Sequence, residues 1–258
     1  MNRTCLITGG SSGIGLELAR QLGARGERLV VLGRDPQKLA AAGKVLGPAC
    51  QTFSADVGQF GELQSVAATL ASSNTHIDFL VVNAGIVEVA TVRDMQFAPL
   101  AAVLQTNLVG AAATVKAFLP LLPAGSRILF IASGFSLVGA AGYAAYCASK
   151  AGLVAFAEAL GRELQRDDIT VQVACLTDID TPQFAHESRS KPAWMTSDGV
   201  RTAPMPVDRA CRKILAQCDK RHFFIFISAD VRALYYLTRF LPRRFRDWLV
   251  NRLLPWPR

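Results

Sequence analysis

The sequence predicts an α/β domain built on a doubly wound parallel sheet of about seven strands. Short apolar runs rich in β-branched or aromatic residues alternate with helical patterns along the 258 residues, and this alternation is typical of a parallel sheet covered on both faces. The chain is 51% hydrophobic, which provides for one large core. No Pro/Gly/Ser-rich linker divides it, so we predict a single domain over residues 1–228 with a C-terminal extension over 229–258.

The strand-like runs set the order of the elements. Helical patterns begin near Ile14, Pro36 and Gln59, after the first, second and third runs. A doubly wound sheet binds its ligand in the crevice beyond the carboxyl ends of the strands, so functional residues are expected directly after strands. The predicted strands cover residues 4–8, 29–32, 52–53, 77–82, 128–132, 170–175 and 223–227.

Two uncharged stretches, 95–115 and 128–149, are long enough to cross a membrane. Each is interrupted by Gly, Asn, Ser or Pro, which fits a buried strand or a packed helix better than a membrane span. The six cysteines show no metal-ligand spacing, and no secretory signal precedes the first strand. We therefore expect a cytoplasmic chain with reduced thiols and no metal site.

The first strand runs into a glycine-rich turn, T-G-G-S-S-G-I-G over residues 8–15. Glycines at a strand–helix junction let the backbone approach a pyrophosphate, which the N–H groups and dipole of the helix N-terminus then bind. Taken alone this could be a tight turn without a ligand, but its place after the first strand favours a dinucleotide, as in Rossmann-type sheets. The residues expected to contact the dinucleotide are Gly9, Ser11, Ser12, Gly13, Ile14 and Gly15.

The end of the second strand predicts NADP(H) as the cofactor. Enzymes that use NAD place an acidic residue there to bind the ribose 2′-hydroxyl. Here Gly33 leaves that position without a side chain, and Arg34 follows it. A guanidinium suits a 2′-phosphate, and such a charge-assisted contact contributes about 1.5–3 kcal/mol, to which Ser11 or Ser12 could add a hydroxyl donor. The alternative is a solvated Arg34 beside Asp35, with Asp35 as a helix N-cap.

A serine, a tyrosine and a lysine form the predicted catalytic set. Tyr146 and Lys150 lie four residues apart on one face of a helix, and Ser133 ends the fifth strand at the crevice. Ketone reduction needs a hydride on carbon and a proton on oxygen. Lowering the pKa of a phenol from near 10 to neutrality requires about 4 kcal/mol, which a lysine ammonium about 4 Å away supplies. Ser133 would hydrogen-bond the substrate oxygen, and Tyr143 is the rival for the tyrosine role.

These motifs resemble those of the short-chain dehydrogenase/reductase family over about residues 4–181. The T-G-x-x-x-G-x-G spacing, the N-A-G triplet after the fourth strand and the Y-x-x-x-K pair carry the resemblance. It implies that Asn107 is a fourth catalytic residue that holds a proton-relay water, and that chains pair as dimers or tetramers through the helices carrying Asn107 and Tyr146. The further cofactor contacts that it implies are Asp56 and Val57 at the adenine, Asn83, Ala84 and Gly85 after the fourth strand, Tyr146, Lys150 at the nicotinamide ribose, and Ile179 and Thr181 at the nicotinamide amide.

The segment after the sixth strand departs from the P-G-x-x-x-T that is usual in that family. It reads D-I-D-T-P-Q-F-A over residues 178–185, with K-P at 191–192, and resembles the same segment of 3-ketodihydrosphingosine reductases. The resemblance implies NADPH-dependent reduction of 3-ketosphinganine, the ketone of a long-chain sphingoid base. One alternative is a dehydrogenase of steroids, retinoids or other lipid alcohols. Another is an NADP(H)-binding regulatory protein, against which the complete catalytic set argues.

The C-terminal segment is strongly basic. The net charge is +8, and residues 221–258 hold eight Arg against two Asp. From Val231 onward Leu, Phe, Tyr and Trp alternate with Arg at helical spacing, interrupted at Pro242. This pattern predicts a basic amphipathic helix that contacts the cytoplasmic face of a membrane. Packing on the core or on a neighbouring subunit is the alternative, and nucleic-acid binding is not expected because no motif accompanies the charge.

Overall fold

A computed structural model describes residues 3–191 and 203–253 of the chain. Within them, a seven-stranded parallel sheet carries helices on both faces, which confirms the predicted fold class. Pro192 of the K-P pair and residues 254–258 of the predicted extension lie outside the described residues.

The described ranges contain nine strands: β1 (Thr4–Thr8), β2 (Arg28–Gly33), β3 (Cys50–Ser54), β4 (Phe79–Val82), β5 (Arg127–Ile131), β6 (Thr170–Cys175), β7 (Ile179–Asp180), β8 (Met205–Pro206) and β9 (Phe224–Phe226). The main sheet has the order β3-β2-β1-β4-β5-β6-β9, and every neighbouring pair is parallel. Its seven strands are the predicted ones. The short pair β7–β8 is separate and was not predicted.

The same ranges contain ten α-helices: α1 (Gly13–Gly23), α2 (Pro36–Leu46), α3 (Phe60–Ser72), α4 (Phe97–Leu104), α5 (Gly110–Phe118), α6 (Ala144–Glu163), α7 (Pro182–Ser190), α8 (Val207–Cys218), α9 (Ala229–Phe240) and α10 (Arg243–Leu253). The helix predicted near Pro36 starts there because Asp35 caps it. The Asp35 carboxylate accepts hydrogen bonds from the N–H groups of Gln37 and Lys38 at 2.9 and 3.1 Å.

Alternate residues of the central strands enter two different cores. On β1, Leu6 packs in the core that includes residues of α3, α5 and α6, whereas Cys5 and Ile7 pack with residues of α1 and α8 on the other face. All three are 0% exposed. Because side chains alternate across a strand and both faces are covered, the strands read as continuous apolar runs.

The strand order of the main sheet runs outward in opposite directions from the central pair β1 and β4. β1 pairs with β2 on one side and with β4 on the other, although β2 and β3 intervene in the chain. Loops that leave two such strands diverge and open a crevice at their carboxyl ends. The glycine-rich turn follows β1 and the N-A-G triplet follows β4, so both border this crevice.

The uncharged stretch at 95–115 belongs to a helical run, Phe97–Leu121, in which a π-helical turn, Gln105–Val109, joins α4 to α5. With a mean hydropathy of 1.4, it is the one helix in the described ranges that is long and apolar enough to cross a membrane, and 39% of its apolar window is buried. It packs against α3 and α6. The stretch at 128–149 forms β5, a 3-10 turn and the start of α6, so it is not one helix.

The first part of the C-terminal extension is integrated into the fold. Val231 of α9 is 4% exposed and lies in the core that includes residues of α6. The ring of Tyr235 lies 4.9 Å from that of Phe224 and 5.3 Å from that of Phe226, centroid to centroid. α9 ends at Phe240 and α10 begins at Arg243, so the helix breaks at Pro242 as predicted.

Candidate active site

The glycine-rich turn passes close to the loop after β4. Gly9 and Gly13 have φ angles of +64° and +54°, which favour glycine. A Cβ on Gly9 would lie 2.9 Å from the Cα of Ala84, and a Cβ on Gly15 would lie 2.5 Å from the carbonyl oxygen of Gly9. Ser12 is the N-cap residue of α1 and makes no side-chain capping bond. The turn therefore brings bare backbone and a serine hydroxyl to the N-terminus of α1.

A buried threonine joins the two loops. Thr8 Oγ1 accepts hydrogen bonds from the N–H groups of Asn83 and Ala84 at 3.1 and 3.2 Å. The Asn83 amide in turn donates to the carbonyls of Thr8 and Gly9 at 2.9 and 3.2 Å. Asn83 thus fixes the shape of the glycine turn. Thr8 was not predicted, although a polar residue at the end of an apolar strand is a signal that could have identified it.

Two cationic side chains lie close to the end of β2. Arg34 has a side chain that is 58% exposed, and its Nη1 lies 3.6 Å from Asp56 Oδ2. Lys38 on the first turn of α2 lines the same cleft, with its Nζ 3.9 Å from Asp35 Oδ2. Gly33 lies so close to Ser11 that an added Cβ would be 3.1 Å from the Ser11 hydroxyl oxygen. Lys38 was not predicted, although a lysine in the first turn of the helix that follows β2 was a usable signal.

Asn107 lies in the π-helical turn, 1% exposed, behind the loop after β4. Its Oδ1 accepts from the Ile86 N–H at 2.8 Å, and its Nδ2 donates to the Ile86 carbonyl at 2.9 Å and to Ser149 Oγ at 3.0 Å. A Cβ on Gly85 would lie 3.2 Å from Asn107 Oδ1 and 3.5 Å from Lys150 Nζ. Asn107 therefore ties the β4 loop to α6 directly behind the catalytic set. π-helical turns of this kind are frequent at functional sites.

Ser133, Tyr146 and Lys150 line one end of the cleft together, as predicted. Ser133 follows β5, and its Oγ accepts a hydrogen bond from the Phe135 N–H at 3.2 Å. Lys150 is 5% exposed and donates to the Ile131 carbonyl at 2.8 Å. Its Nζ lies 5.8 Å from the centroid of the Tyr146 ring. The end of β5 and the face of α6 that carries Tyr146 and Lys150 therefore lie together at the cleft, as the sequence predicts.

Burial determines the protonation of this set. It raises the pKa of Tyr146, an effect that the negative charge of Glu187 increases and a hydrogen bond with Ser133 opposes. Burial also lowers the pKa of Lys150 to about 8. The sequence-based expectation that Lys150 lowers the pKa of Tyr146 to near neutrality is not met in this geometry, in which burial raises that pKa. Tyr146 is therefore a protonated phenol at neutral pH.

Tyr143, the rival tyrosine, is engaged elsewhere. It is 3% exposed, and its hydroxyl donates to Glu187 Oε1 on α7. Lys191 Nζ lies 2.9 Å from the same carboxylate oxygen and 5.8 Å from the centroid of the Tyr143 ring. Burial raises the pKa of Tyr143 well above its usual value. These contacts hold α7 against α6 and leave Tyr146 as the tyrosine at the cleft.

A continuous cleft of about 310 Å³ joins the glycine turn to the catalytic set. Three predicted residues do not line it: Gly15 and Asn107 lie behind it, and Asp56 turns to Arg34 and to the Gly58 N–H at 2.8 Å. The carboxylate of Asp56 closes its own turn, and its contact with adenine stays a prediction. The predicted residues that do line the cleft are Gly9, Ser11, Ser12, Gly13, Ile14, Arg34, Val57, Asn83, Ala84, Gly85, Ser133, Tyr146, Lys150, Ile179 and Thr181.

The substrate end of the cleft has both apolar and polar lining residues and was only partly predicted. Thr181 caps α7 by accepting a hydrogen bond from the Phe184 N–H at 3.2 Å. This cap fixes the start of α7, which lines the cleft. The lining residues there that were not predicted as site residues are Phe135, Leu176, Thr177, Asp178, Pro182, Gln183, Phe184 and Glu187. They follow β5, follow β6 or lie on α7, and sequence spacing does not mark these three groups as neighbours.

The residues of the cleft fit a nicotinamide dinucleotide. Gly9 and Gly13 line the cleft at the N-terminus of α1, where backbone N–H groups can bind a pyrophosphate. Arg34 and Lys38 can bind phosphate near the adenine ribose, and Lys150 stands at the opposite, reactive end. In the part of the chain that the structure describes, no group of three or more His, Cys, Asp or Glu side chains could hold a metal ion.

Comparisons with known proteins agree with this geometry. Residues 3–192 match the family model described as short chain dehydrogenase. The 3-dehydrosphinganine reductase TSC10A of Arabidopsis thaliana is 34% identical over 258 residues, which cover 96% of this chain and 78% of that protein. The 3-oxoacyl-[acyl-carrier-protein] reductase of Homo sapiens is 33% identical over 193 residues, which cover 74% of this chain and 79% of that protein.

Solved structures share the fold. A short chain dehydrogenase/reductase from Burkholderia phymatum in complex with NAD has a TM-score of 0.81 at 22% identity, covering 100% of this chain and 98% of that one. An oxidoreductase of that family from Burkholderia thailandensis has a TM-score of 0.77 at 28% identity, covering 97% and 98%. Since the matched residues include both the glycine turn and the catalytic helix, the chain belongs to the short-chain dehydrogenase/reductase family of oxidoreductases, which use a nicotinamide cofactor.

Proposed function

We propose that this enzyme reduces the ketone of a long-chain keto lipid with NADPH, and that 3-ketosphinganine is its substrate. The observation that carries the proposal is the cleft wall beside Tyr146, which the D-I-D-T-P-Q-F-A segment forms. Pro182 and Phe184 of this segment line the cleft and offer apolar surface to a hydrocarbon chain. The 34% identity with a plant 3-dehydrosphinganine reductase over 96% of the chain supports the same substrate.

Tyr146 is the proton donor in the proposed reduction. Its raised pKa keeps the phenol protonated at neutral pH, so the hydroxyl can protonate the ketone oxygen as negative charge develops there. Ser133 donates a second hydrogen bond to that oxygen and stabilises the same charge. A nicotinamide cofactor supplies the hydride when bound.

Lys150 and Asn107 position these groups. The Ile131 carbonyl holds the Lys150 ammonium at 2.8 Å, where it would bind the hydroxyls of the nicotinamide ribose. With a pKa lowered to about 8, Lys150 is still largely charged at neutral pH. Asn107 connects Ile86 to Ser149 and so keeps α6 in register with the β4 loop.

NADPH is favoured over NADH by the charge at the end of β2. Arg34 and Lys38 both border the cleft there, and the Ser11 hydroxyl lies beside Gly33, where an acidic side chain would select NAD. A 2′-phosphate in that place would receive two cationic contacts and one hydroxyl donor. The pairing of Arg34 with Asp56 and of Lys38 with Asp35 reduces this preference, but both pairs are solvent-exposed and therefore weak.

The test is the purified enzyme with 3-ketosphinganine in detergent micelles, in which the absorbance of the reduced nicotinamide is followed with NADPH and, in parallel, with NADH. We expect NADPH-dependent turnover that Tyr146→Phe abolishes. Turnover of a steroid or retinoid carbonyl but not of this ketone would replace the substrate and keep the catalytic set. No turnover of any carbonyl would favour an NADP(H)-binding regulatory protein.

A second candidate substrate is a 3-oxoacyl thioester. The candidate is favoured by the 33% identity with a 3-oxoacyl-[acyl-carrier-protein] reductase over 74% of this chain. Both substrates present a ketone and an alkyl chain, so the catalytic set would carry out the same reduction on each of them. Comparing kcat/KM for the two ketones in the same assay decides between them.

We also propose that the chain pairs through α4, α5 and α6. Phe97 is 81% exposed and Val109 48%, so both offer apolar surface to a second copy. The outer face of α6 carries small exposed residues that permit close helix packing, namely Ala144, Ala148, Ala151 and Ala155. Light scattering should give a dimer or tetramer that Ala151→Arg dissociates, and a monomeric wild-type protein would contradict the proposal.

A further inference from the structure

The outer faces of α9 and α10 concentrate exposed aromatic side chains. Of the five aromatic residues that the described part of the chain exposes most, four lie here: Tyr236 (54%), Phe240 (73%), Phe245 (50%) and Trp248 (54%). They form two pairs, one on each helix. The Tyr236 and Phe240 rings stack at 6.3 Å, and the Phe245 and Trp248 rings lie 5.4 Å apart, centroid to centroid.

Exposed arginines accompany each pair. At helical spacing, Arg232 and Arg239 share the face of Tyr236 on α9, and Arg244 and Arg252 share that of Trp248 on α10. None of these four arginines forms an ion pair with a described residue, whereas Asp247 pairs with Arg243 and Arg246. We call this surface the Arg–aromatic face; it comprises Arg232, Tyr236, Arg239, Phe240, Arg244, Phe245, Trp248 and Arg252.

The opposite side of α9 packs against the rest of the chain. The Arg–aromatic face is therefore not the side of α9 that contributes to the protein core. Val231 is buried, and Tyr235 packs on the rings of β9. The start of α9 also contacts the substrate end of the cleft. Thr177, which lines the cleft, donates a hydrogen bond from Oγ1 to Asp230 Oδ2 at 3.2 Å. A Cβ on Gly134, next to the catalytic serine, would lie 3.5 Å from Val231 Cγ2.

We propose that the Arg–aromatic face docks on the surface of an anionic lipid bilayer and thereby holds the substrate end of the cleft close to the membrane. These four guanidinium groups, which have no ion pair among the described residues, complement anionic headgroups. Aromatic rings favour the interfacial region, where one side is apolar and the other is wet. The two helices break at Pro242 and carry charge along their length, so they lie on the bilayer and do not cross it.

The first test is cosedimentation of the full chain with vesicles, of phosphatidylcholine alone and of phosphatidylcholine mixed equally with phosphatidylserine. We expect binding to the mixed vesicles only. Replacing Arg239, Arg244 and Arg252 with Gln together should lower the partition coefficient on the order of 100-fold, from about 1 kcal/mol per Arg and tenfold per 1.4 kcal/mol. Phe240→Ser with Trp248→Ser should also weaken binding, and should do so at high salt as well.

The matched control replaces Arg25, Arg162 and Arg166 with Gln, which removes the same charge from exposed sites outside the face. We expect the control to retain most of the binding. Equal losses in the two triple variants would overturn the proposal, because binding would then follow net charge alone. A wild-type chain that does not bind vesicles would also overturn the proposal. Dissociation of an oligomer in the triple variant of the face would overturn it as well, because a second copy of the chain would then occupy the face.

Delivery of substrate from the bilayer rests on the proposed function and is tested separately. The triple variant of the face should raise KM for the long-chain ketone in mixed vesicles and leave kcat/KM for a short, water-soluble ketone unchanged. An equal loss with both ketones would refute delivery through this face. A wild-type enzyme that binds vesicles but reduces neither ketone would refute the proposed function and leave docking in place.

Discussion

Replacing Arg34 with alanine tests the cofactor assignment most directly. The guanidinium borders the cleft, is 58% exposed, and lies 3.6 Å from Asp56. A well-formed charge-assisted hydrogen bond contributes about 1.5–3 kcal/mol, but solvent and the Asp56 carboxylate both screen this one. We therefore expect the lower end of the range, about 1.5 kcal/mol, which corresponds to a roughly tenfold weaker affinity for NADPH.

The assay is a fluorescence titration of the protein with NADPH and with NADH, and the quantity compared is the ratio of the two Kd values. NADH has no 2′-phosphate, so its Kd should not change in Arg34→Ala. Lys38→Ala should move the ratio in the same direction, because Lys38 lines the same end of the cleft. Lys44→Ala is the matched control, an exposed lysine of α2 that does not line the cleft. A wild-type ratio in Arg34→Ala would refute the assignment of that residue to the phosphate.

Three further substitutions test the site and the fold. Tyr146→Phe should lower kcat by at least about 100-fold, the scale of general acid catalysis, without changing the Kd for NADPH, whereas Tyr143→Phe should keep turnover. Glu187→Gln removes a charge that raises the pKa of Tyr146, so the pKa of Tyr146, followed by the ultraviolet absorbance of its phenolate against Tyr146→Phe, should fall; an unchanged pKa would contradict this. In urea denaturation Gly9→Ala should cost more than about 1 kcal/mol, because φ is +64° and the new Cβ meets backbone at 2.9 Å. Gly61→Ala, which meets open space within α3, should cost nothing.

The sequence predicts those parts of the site that sit at strand ends or repeat along one helix. Ser133 can be predicted because it follows a buried strand, and Tyr146 and Lys150 because they lie four residues apart on a helix. Both arguments depend only on local periodicity. The glycine turn can be predicted because it directly follows the first strand. Lys38 lies in the first turn of α2, directly after β2, so the same attention to strand ends could have identified it.

Residues whose role depends on distant contacts could not be predicted. Glu187 acts through Tyr143, 44 residues earlier in the chain, and no spacing rule connects them. The orientation of Asp56 depends on its bond to the Gly58 N–H and on Arg34. The protonation of Tyr146 was predicted in the wrong direction for this geometry, because charge alone was weighed and the cost of burial is visible only when the fold is known.

The charges along the cleft bear on the choice between the two candidate substrates. At the cofactor end Arg34 and Lys38 are cationic. At the substrate end two carboxylates, Asp178 and Glu187, both raise the pKa of Tyr146, and Glu187 also pairs with Lys191. A sphingoid ketone carries an amine next to its carbonyl, and a cationic amine is stabilised by a negative potential. A 3-oxoacyl thioester has no positive charge near its ketone and gains nothing from these carboxylates, so the charge distribution favours the amino ketone.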